Sequence, residues 1–408
     1  MKWALIGCGD LANKRVASAL KRARNSELLC VFARNPENTA AFAQRHGIRQ
    51  VCASFDDVLR QGIDAVYICT PPATHADYAI RAMQAGKHVL VEKPMASNAT
   101  ECRAMLACAD KCGMRLGVAY YRRTHPKTLK IKELIDQGIL GTPTWVNVVC
   151  HSWYAPSKDA TNAWRVRPGE SGGAGALADI GVHRLDLLDY WFGPLKPRYC
   201  NSHRLVQDYD VEDGTSAVLE LNNGAPVHLY FAWNSKTWMD RIEIVGSEAK
   251  LIADPLDSPS LKILRGREWE ELTLPPPENA HLPCVEDFIT AAEAGRDALS
   301  SGRAAARTNL LLESLVGGSR APQLSSWGRP APIAVGIGLV PKPHNDFPEF
   351  IRTYFERCRE RNPLIEANTG KWTSEDLIPG LSDFDTRFIV ADSTAAQDWC
   401  RMSMDVAR

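Results

Sequence analysis

The chain opens on a short apolar run over 3–6 that passes straight into Gly7-Cys8-Gly9-Asp10-Leu11-Ala12, followed by Val16, Ala19 and Leu20 at helical spacing. A strand that becomes a helix within so few residues needs a turn almost free of side chains. Gly7 makes that turn, Gly9 lets the backbone approach a pyrophosphate, and Ala12 permits close packing of helix on strand. The positive end of the helix then faces the phosphates, with Asp10 and Leu11 in the loop that would touch them.

Strand and helix patterns continue to alternate. Residues 28–33, 65–70, 88–91 and 115–118 read as strands, and 37–46, 56–60, 76–85 and 99–112 as helices. This alternation predicts a parallel, doubly wound sheet of the Rossmann type over 1–118. Ligands on such sheets bind beyond the carboxyl ends of the strands, where this chain places Thr70, Pro71 and His75 of CTPPATH and Glu92-Lys93-Pro94. Both segments should therefore face the same crevice as the glycine turn.

The end of the second strand bears on which dinucleotide is used. A carboxylate there would hold the ribose hydroxyls of NAD and repel the extra phosphate of NADP. This chain instead reads Phe32-Ala33-Arg34-Asn35, a cation with no acid, so NADP is expected to be preferred, with NAD possible. The bland alternative is a solvated surface arginine.

From residue 119 the pattern changes. A helix is predicted over 128–137, then β-rich stretches over 145–153, 199–206, 215–221, 227–234, 240–245, 250–253 and 261–264, several divided by turn signals such as Asn222-Asn223-Gly224. Residues 119–321 thus form a second, α+β domain with an open, mostly antiparallel sheet. Its free face, with Trp145, Tyr230 and Trp233, suits an interface in a homodimer or homotetramer, and intramolecular core explains the same residues as well.

Within this second part, Asp179 and His183 lie four apart, on one face of a helical turn that should sit between the sheet and the crevice. With Lys93 they would bring an ammonium, a carboxylate and an imidazole to the edge of a nicotinamide, a set fit to move a proton alongside a hydride. Taken singly, each has an ordinary explanation: a surface lysine, a helix cap, a satisfied core histidine.

The 48 basic and 48 acidic residues balance, which removes the electrostatic footprint of a nucleic-acid or anionic-membrane partner and favours a small molecule. Scattered cysteines without metal-ligand spacing predict neither a disulfide framework nor a metal, and Cys108 and Cys112 read as packing residues. With no signal peptide and no spanning segment, a cytoplasmic enzyme is expected.

Five motifs in order, GCGDLA, CTPPATH, EKP, YYRRTHP and GGAGALADIGVHRLD, resemble the glucose-fructose oxidoreductase and inositol dehydrogenase family, Gfo/Idh/MocA, over residues 1 to about 320. The resemblance implies a Rossmann domain followed by an α/β domain with an open sheet. It implies that Lys93 hydrogen-bonds the reacting oxygen, that His183 donates or accepts the proton, and that Asp179 orients the imidazole or a substrate hydroxyl. It further implies that His75 shapes the nicotinamide pocket and that no metal is needed. Arg122, Trp164 and Arg165 would line a sugar pocket, although salt bridges explain the arginines equally well. The expected reaction is hydride transfer at a carbinol or keto carbon of a sugar, sugar nucleotide or cyclitol. A non-catalytic dinucleotide-binding regulator and a glycosidase with transient redox chemistry stay open beside it.

Residues 322–408 read as a C-terminal extension: a proline- and glycine-rich linker over 322–343, then a helix over 347–361. Asp383 and Asp385 precede an apolar run and resemble the SDxD core of nucleotidyltransferases, which holds a divalent metal. Too little chain follows to complete such a domain, so a structural appendage or the start of a truncated fusion is the favoured expectation.

Overall fold

β1 (Lys2–Ile6) is buried on both faces, with Trp3, Ala4, Leu5 and Ile6 all fully enclosed, so it can only be an inner strand. In the computed structural model it lies at the centre of a six-stranded parallel sheet with β2 (Glu27–Phe32), β3 (Gln50–Val51), β4 (Ala65–Ile68), β5 (His88–Val91) and β6 (Leu116–Val118), in the order β3-β2-β1-β4-β5-β6. That is the dinucleotide-binding order, and strand order reverses between β1 and β4. The structure describes residues 1–160, 162–168 and 175–318, all in the first of two compact units, Met1–Ala321. The linker over 322–343, the helix over 347–361 and Asp383 and Asp385 lie outside the described residues.

The crossover helices α1 (Ala17–Arg22), α2 (Pro36–His46), α3 (Phe55–Leu59), α4 (His75–Gln84) and α5 (Ala99–Cys112) are set by local signals. Asn35 caps α2 by accepting from Asn38 N at 2.9 Å, Pro36 occupies the first helical position, and Gly47 ends the helix in the left-handed region. The helix before α1 begins at Asp10 and passes through a π turn, Ala12–Val16, before becoming α-helical. β3 went unread in the sequence because two residues carry no period.

The second sheet has eight strands: β7 (Pro143–Trp153), β8 (Lys196–His203), β9 (Gly214–Glu220), β10 (Pro226–Ala232), β11 (Asn234–Gly246), β12 (Ala249–Ala253), β13 (Ser260–Arg265) and β14 (Glu268–Thr273). Their order is β14-β13-β12-β11-β7-β10-β9-β8; only β7 and β10 run parallel. Val146, Val148 and Cys150 of β7 and Val227, Leu229 and Phe231 of β10 point inward, while Trp145, Val149 and Tyr230 take the alternate, half-buried positions. Trp233 departs from the expectation of an interface: it is 2% exposed and stacks on Tyr154 at 4.6 Å, inside the molecule.

α6 (Pro126–Asp136), α7 (Val182–Phe192), α8 (Leu282–Glu293) and α9 (Gly302–Gly318) complete the unit. α7 places Val182, Leu185, Leu187, Leu188 and Trp191 in a core shared with both sheets. Its charged residues are buried as well, and each is paired. Arg123 grips Asp186 through Nε and Nη2, both at 2.8 Å; Arg307 holds Asp189 at 2.8 Å; Arg184 meets Asp240 at 2.7 Å. These pairs tie α7 to the turn after β6, to α9 and to β11, so its position relative to the crevice is fixed by charge as well as by packing.

Candidate active site

Gly7 adopts φ +100°, and a Cβ there would fall 2.5 Å from the Cys69 carbonyl oxygen, so no other residue fits between β1 and the end of β4. Above Gly9 the reverse holds: a Cβ would meet nothing within 4 Å. The loop carbonyl of Gly9 accepts from Asn13 N at 3.0 Å, and Leu11 makes no side-chain cap bond. Asp10 turns outward to Lys14 at 2.9 Å, Leu11 is half-buried and Ala12 is fully enclosed against the sheet. Open space beside uncapped N–H groups suits a pyrophosphate, so the residues present fit a dinucleotide. Arg34 is exposed in the loop after β2, where Ala33 and Asn35 supply no carboxylate.

The strand-end loops are braced from beneath. His75 is fully enclosed, with Nδ1 3.0 Å from Pro94 O and Nε2 2.8 Å from Thr70 O; burial depresses its pKa despite these carbonyls. It thus ties the Thr70 and Pro94 segments to each other from beneath. Glu92 is nearly as enclosed. It is 5% exposed, accepts from Tyr67 Oη at 2.7 Å and lies 3.3 Å from His281 Nε2, within ion-pair reach but off hydrogen-bond geometry. Burial alone would raise its pKa, yet His281, Tyr67 and Lys93 together hold the carboxyl below its ordinary value.

Lys93 projects across the crevice. Its Nζ donates to the Asp179 backbone oxygen and to Asp179 Oδ1, both at 2.9 Å. Asp179 also lies 3.4 Å from Arg165 Nε; burial works against its charge, but Lys93 and Arg165 outweigh it and keep the carboxylate ionised. The helix carrying Asp179 begins at Ala176 and runs through a second π turn, Leu177–Gly181, into α7. π turns are rare and concentrate at functional sites. Here the Asp179 and Ile180 carbonyls are taken up by two cations, Lys93 and Arg184, the latter at 2.8 Å.

His183 lies on this helix at 7% exposure, packed edge-on against Tyr121 at 5.3 Å and Tyr120 at 6.2 Å. Its Nδ1 is enclosed without a hydrogen-bond partner among the described residues, so Asp179 does not orient this imidazole as expected; the carboxylate is committed to Lys93 and Arg165. Burial, then the positive charges of Lys93, Arg122 and Arg184, push the His183 pKa well down, so the ring is neutral near pH 7.

The remaining expected residues divide. Arg165 belongs to the cluster and lies over the Trp164 ring at 4.8 Å, in the short Ala163–Val166 turn. Arg122 is buried in a two-pronged bond to Asp257 and lies over the Tyr121 ring at 5.0 Å, the salt bridge that was the alternative to a sugar contact. His281 and Tyr67 carry no signal in the sequence: each is marked only by neighbours far away along the chain.

Two family models match this chain: the oxidoreductase family with an NAD-binding Rossmann fold over 1–120, and the GFO/IDH/MocA C-terminal domain over 128–252. A dTDP-3,4-didehydro-2,6-dideoxy-alpha-D-glucose 3-reductase from Streptomyces violaceoruber is 32% identical over 322 residues, covering 75% of this chain and 91% of the relative. An oxidoreductase from Formosa agariphila is 30% identical over 301 residues, covering 71% and 90%. Among solved structures, a 3-ketoreductase from Actinomadura kijaniata in complex with NADP and TDP-benzene superposes with TM-score 0.70 at 24% identity, covering 78% of this chain and 97% of that one. With both halves of the fold matched and the crevice built as described, the chain belongs to the Gfo/Idh/MocA family and is an NAD(P)-dependent dehydrogenase or reductase.

Proposed function

We propose that this protein uses NADP in preference to NAD and transfers a hydride between the nicotinamide and a carbinol or keto carbon of a sugar, sugar nucleotide or cyclitol. The observation that carries this reading is the bridge from Lys93 to Asp179, which brings an ammonium from one sheet and a carboxylate from the helix over the other to a single point. The bound cofactor would supply or accept the hydride. Lys93 Nζ has three hydrogens and spends two on Asp179, leaving one for the reacting oxygen, whose developing charge it stabilises. His183, neutral and buried, is available to accept the carbinol proton. Asp179, Arg165 and Trp164 would border the sugar. The names of the relatives, a dTDP-sugar 3-reductase and a 1,5-anhydro-D-fructose reductase of Ensifer adhaerens, support the substrate class. Arg34 with no acid beside it supports NADP.

The test is a screen of sugars, sugar nucleotides and cyclitols with NADPH and NADH, run beside Lys93→Ala and His183→Ala. Loss of turnover in both variants with NADPH binding intact is expected. Parental activity in both would overturn the assignment, and a strong NADH preference would overturn the cofactor choice alone.

The half-buried Trp145 and Tyr230 on the open face of the second sheet support a homodimer or homotetramer, to be measured by light scattering; a monomer at working concentration would reject it. The described cysteines are all free thiols, which fits a reducing compartment such as the cytoplasm. Among the described residues, no helix is long and apolar enough to cross a membrane.

A further inference from the structure

The N–H groups that open the helix of Asp179 and His183 are claimed by a carboxylate from the segment that leads into β9. Glu212 Oε2 accepts from Gly175 N at 2.6 Å, and Glu212 Oε1 accepts from Leu177 N at 3.0 Å. The approach is close from both sides: a Cβ on Gly175 would overlap the Glu212 carbonyl oxygen and lie 2.7 Å from Val211 Cγ2. Glu212 is itself held firmly. Its neighbour Asp213 is fully buried and accepts from Leu205 N, Val206 N and Gln207 N at 2.7–3.0 Å and from Asn234 Nδ2 at 3.1 Å. The Asp213 backbone adds bonds to His203 O and from Trp233 N, where β9 enters the sheet.

The π turn is therefore bracketed by charge: Glu212 on its leading N–H groups, Lys93 and Arg184 on its carbonyls. Lys93 reaches the turn from beyond β5 and Arg184 is tied to Asp240 of β11, but both act on its carbonyls; Glu212, fixed where β9 enters the sheet, is the group on its leading N–H groups. We propose that Glu212 is a positioning residue, which sets where Asp179 stands and so where the Lys93 ammonium points. The inference rests on the proposed role of Lys93 and Asp179.

Glu212→Gln keeps the volume but offers one acceptor where two are needed. It should lower kcat by at least ~10-fold, since small misplacements at a reacting centre are costly, while the NADPH dissociation constant and the melting temperature stay near parental values. The effect should vanish in an Asp179→Asn background, because Glu212 acts through that residue. Glu212→Asp, which keeps the charge but shortens its reach to the two N–H groups, should give the same signature and serves if Glu212→Gln folds poorly. A purely structural role would instead lower the melting temperature and add its loss in full to that of Asp179→Asn; either result overturns the proposal. Parental kcat in Glu212→Gln with turnover lost in Asp179→Asn also overturns it and leaves the proposed chemistry standing. Parental kcat in both variants would overturn the chemistry too.

Discussion

Two helix starts in this molecule share a π turn and differ in what meets their N–H groups. The one after β1 is left open: among the described residues no carboxylate meets it, and a Cβ on Gly9 would meet nothing within 4 Å. The one before α7 is closed by Glu212, with cations on the carbonyls behind it. One is built from small residues close together in sequence and awaits a ligand's negative charge. The other is built from charged residues brought together from four distant segments, and supplies its own. A backbone that must receive an exchangeable cofactor can be simple, whereas the one that aims the groups proposed to handle the proton is held.

The held start depends on α7 staying in place, so the largest expected effect is on stability. Arg123→Ala leaves Asp186 buried without its cation and should cost about 3–5 kcal/mol, read by urea unfolding. A loss well under that would mean that packing alone positions the helix. Next, Lys93→Ala removes the ammonium from the held site and should lower kcat by about 10²–10³-fold with NADPH affinity kept, measured by steady-state kinetics and fluorescence titration. Equal losses in kcat and affinity would blur the contrast between the two starts. At the open start, Gly9→Ala meets no protein atom, so the melting temperature should hold while NADPH binding weakens by about tenfold, roughly 1.4 kcal/mol. Unchanged binding would show that the space is not the phosphate site.

The last effect is a slope with pH, and it bears on both starts alike. His75, His125 and His183 all have pKa values below the ordinary 6.5 because burial disfavours their charged forms, His125 at about 4. Below pH 6.5 the unfolded chain binds protons that these folded rings refuse, so stability should decline as pH falls from 6.5 toward 4. Denaturant midpoints across that range would check it; a flat profile would show that the rings protonate in place.

The open region was the more legible in sequence because its signals are local. Gly7 and Gly9 stand next to the strand they terminate, and the alternation of apolar runs carried β1, β2, β4, β5 and β6 with boundaries close to those observed. The held region was legible only in its members. Asp179 and His183 could be paired by spacing, but a four-residue interval reads the same in an α and a π turn, and nothing in it says that Asp179 turns to Lys93. Glu212 lies 35 and 37 residues from the groups it binds, so only the folding of β8 and β9 brings it there. β14 escaped because Glu-Trp-Glu-Glu-Leu-Thr lacks a clean apolar alternation, which is how an outermost strand reads.

That last strand has a consequence for how copies of the protein can meet. The described sheet ends on β14, which bears Glu268, Glu270 and Glu271, and on β8, where Pro197 interrupts the ladder beside a shift of register. Like charges at one rim and a missing donor at the other discourage a neighbouring molecule from adding its own strand. Edge-to-edge polymerisation is thus obstructed at both margins of the described sheet, and the pairing proposed through Trp145 and Tyr230 would be face to face and stop at a closed number of copies.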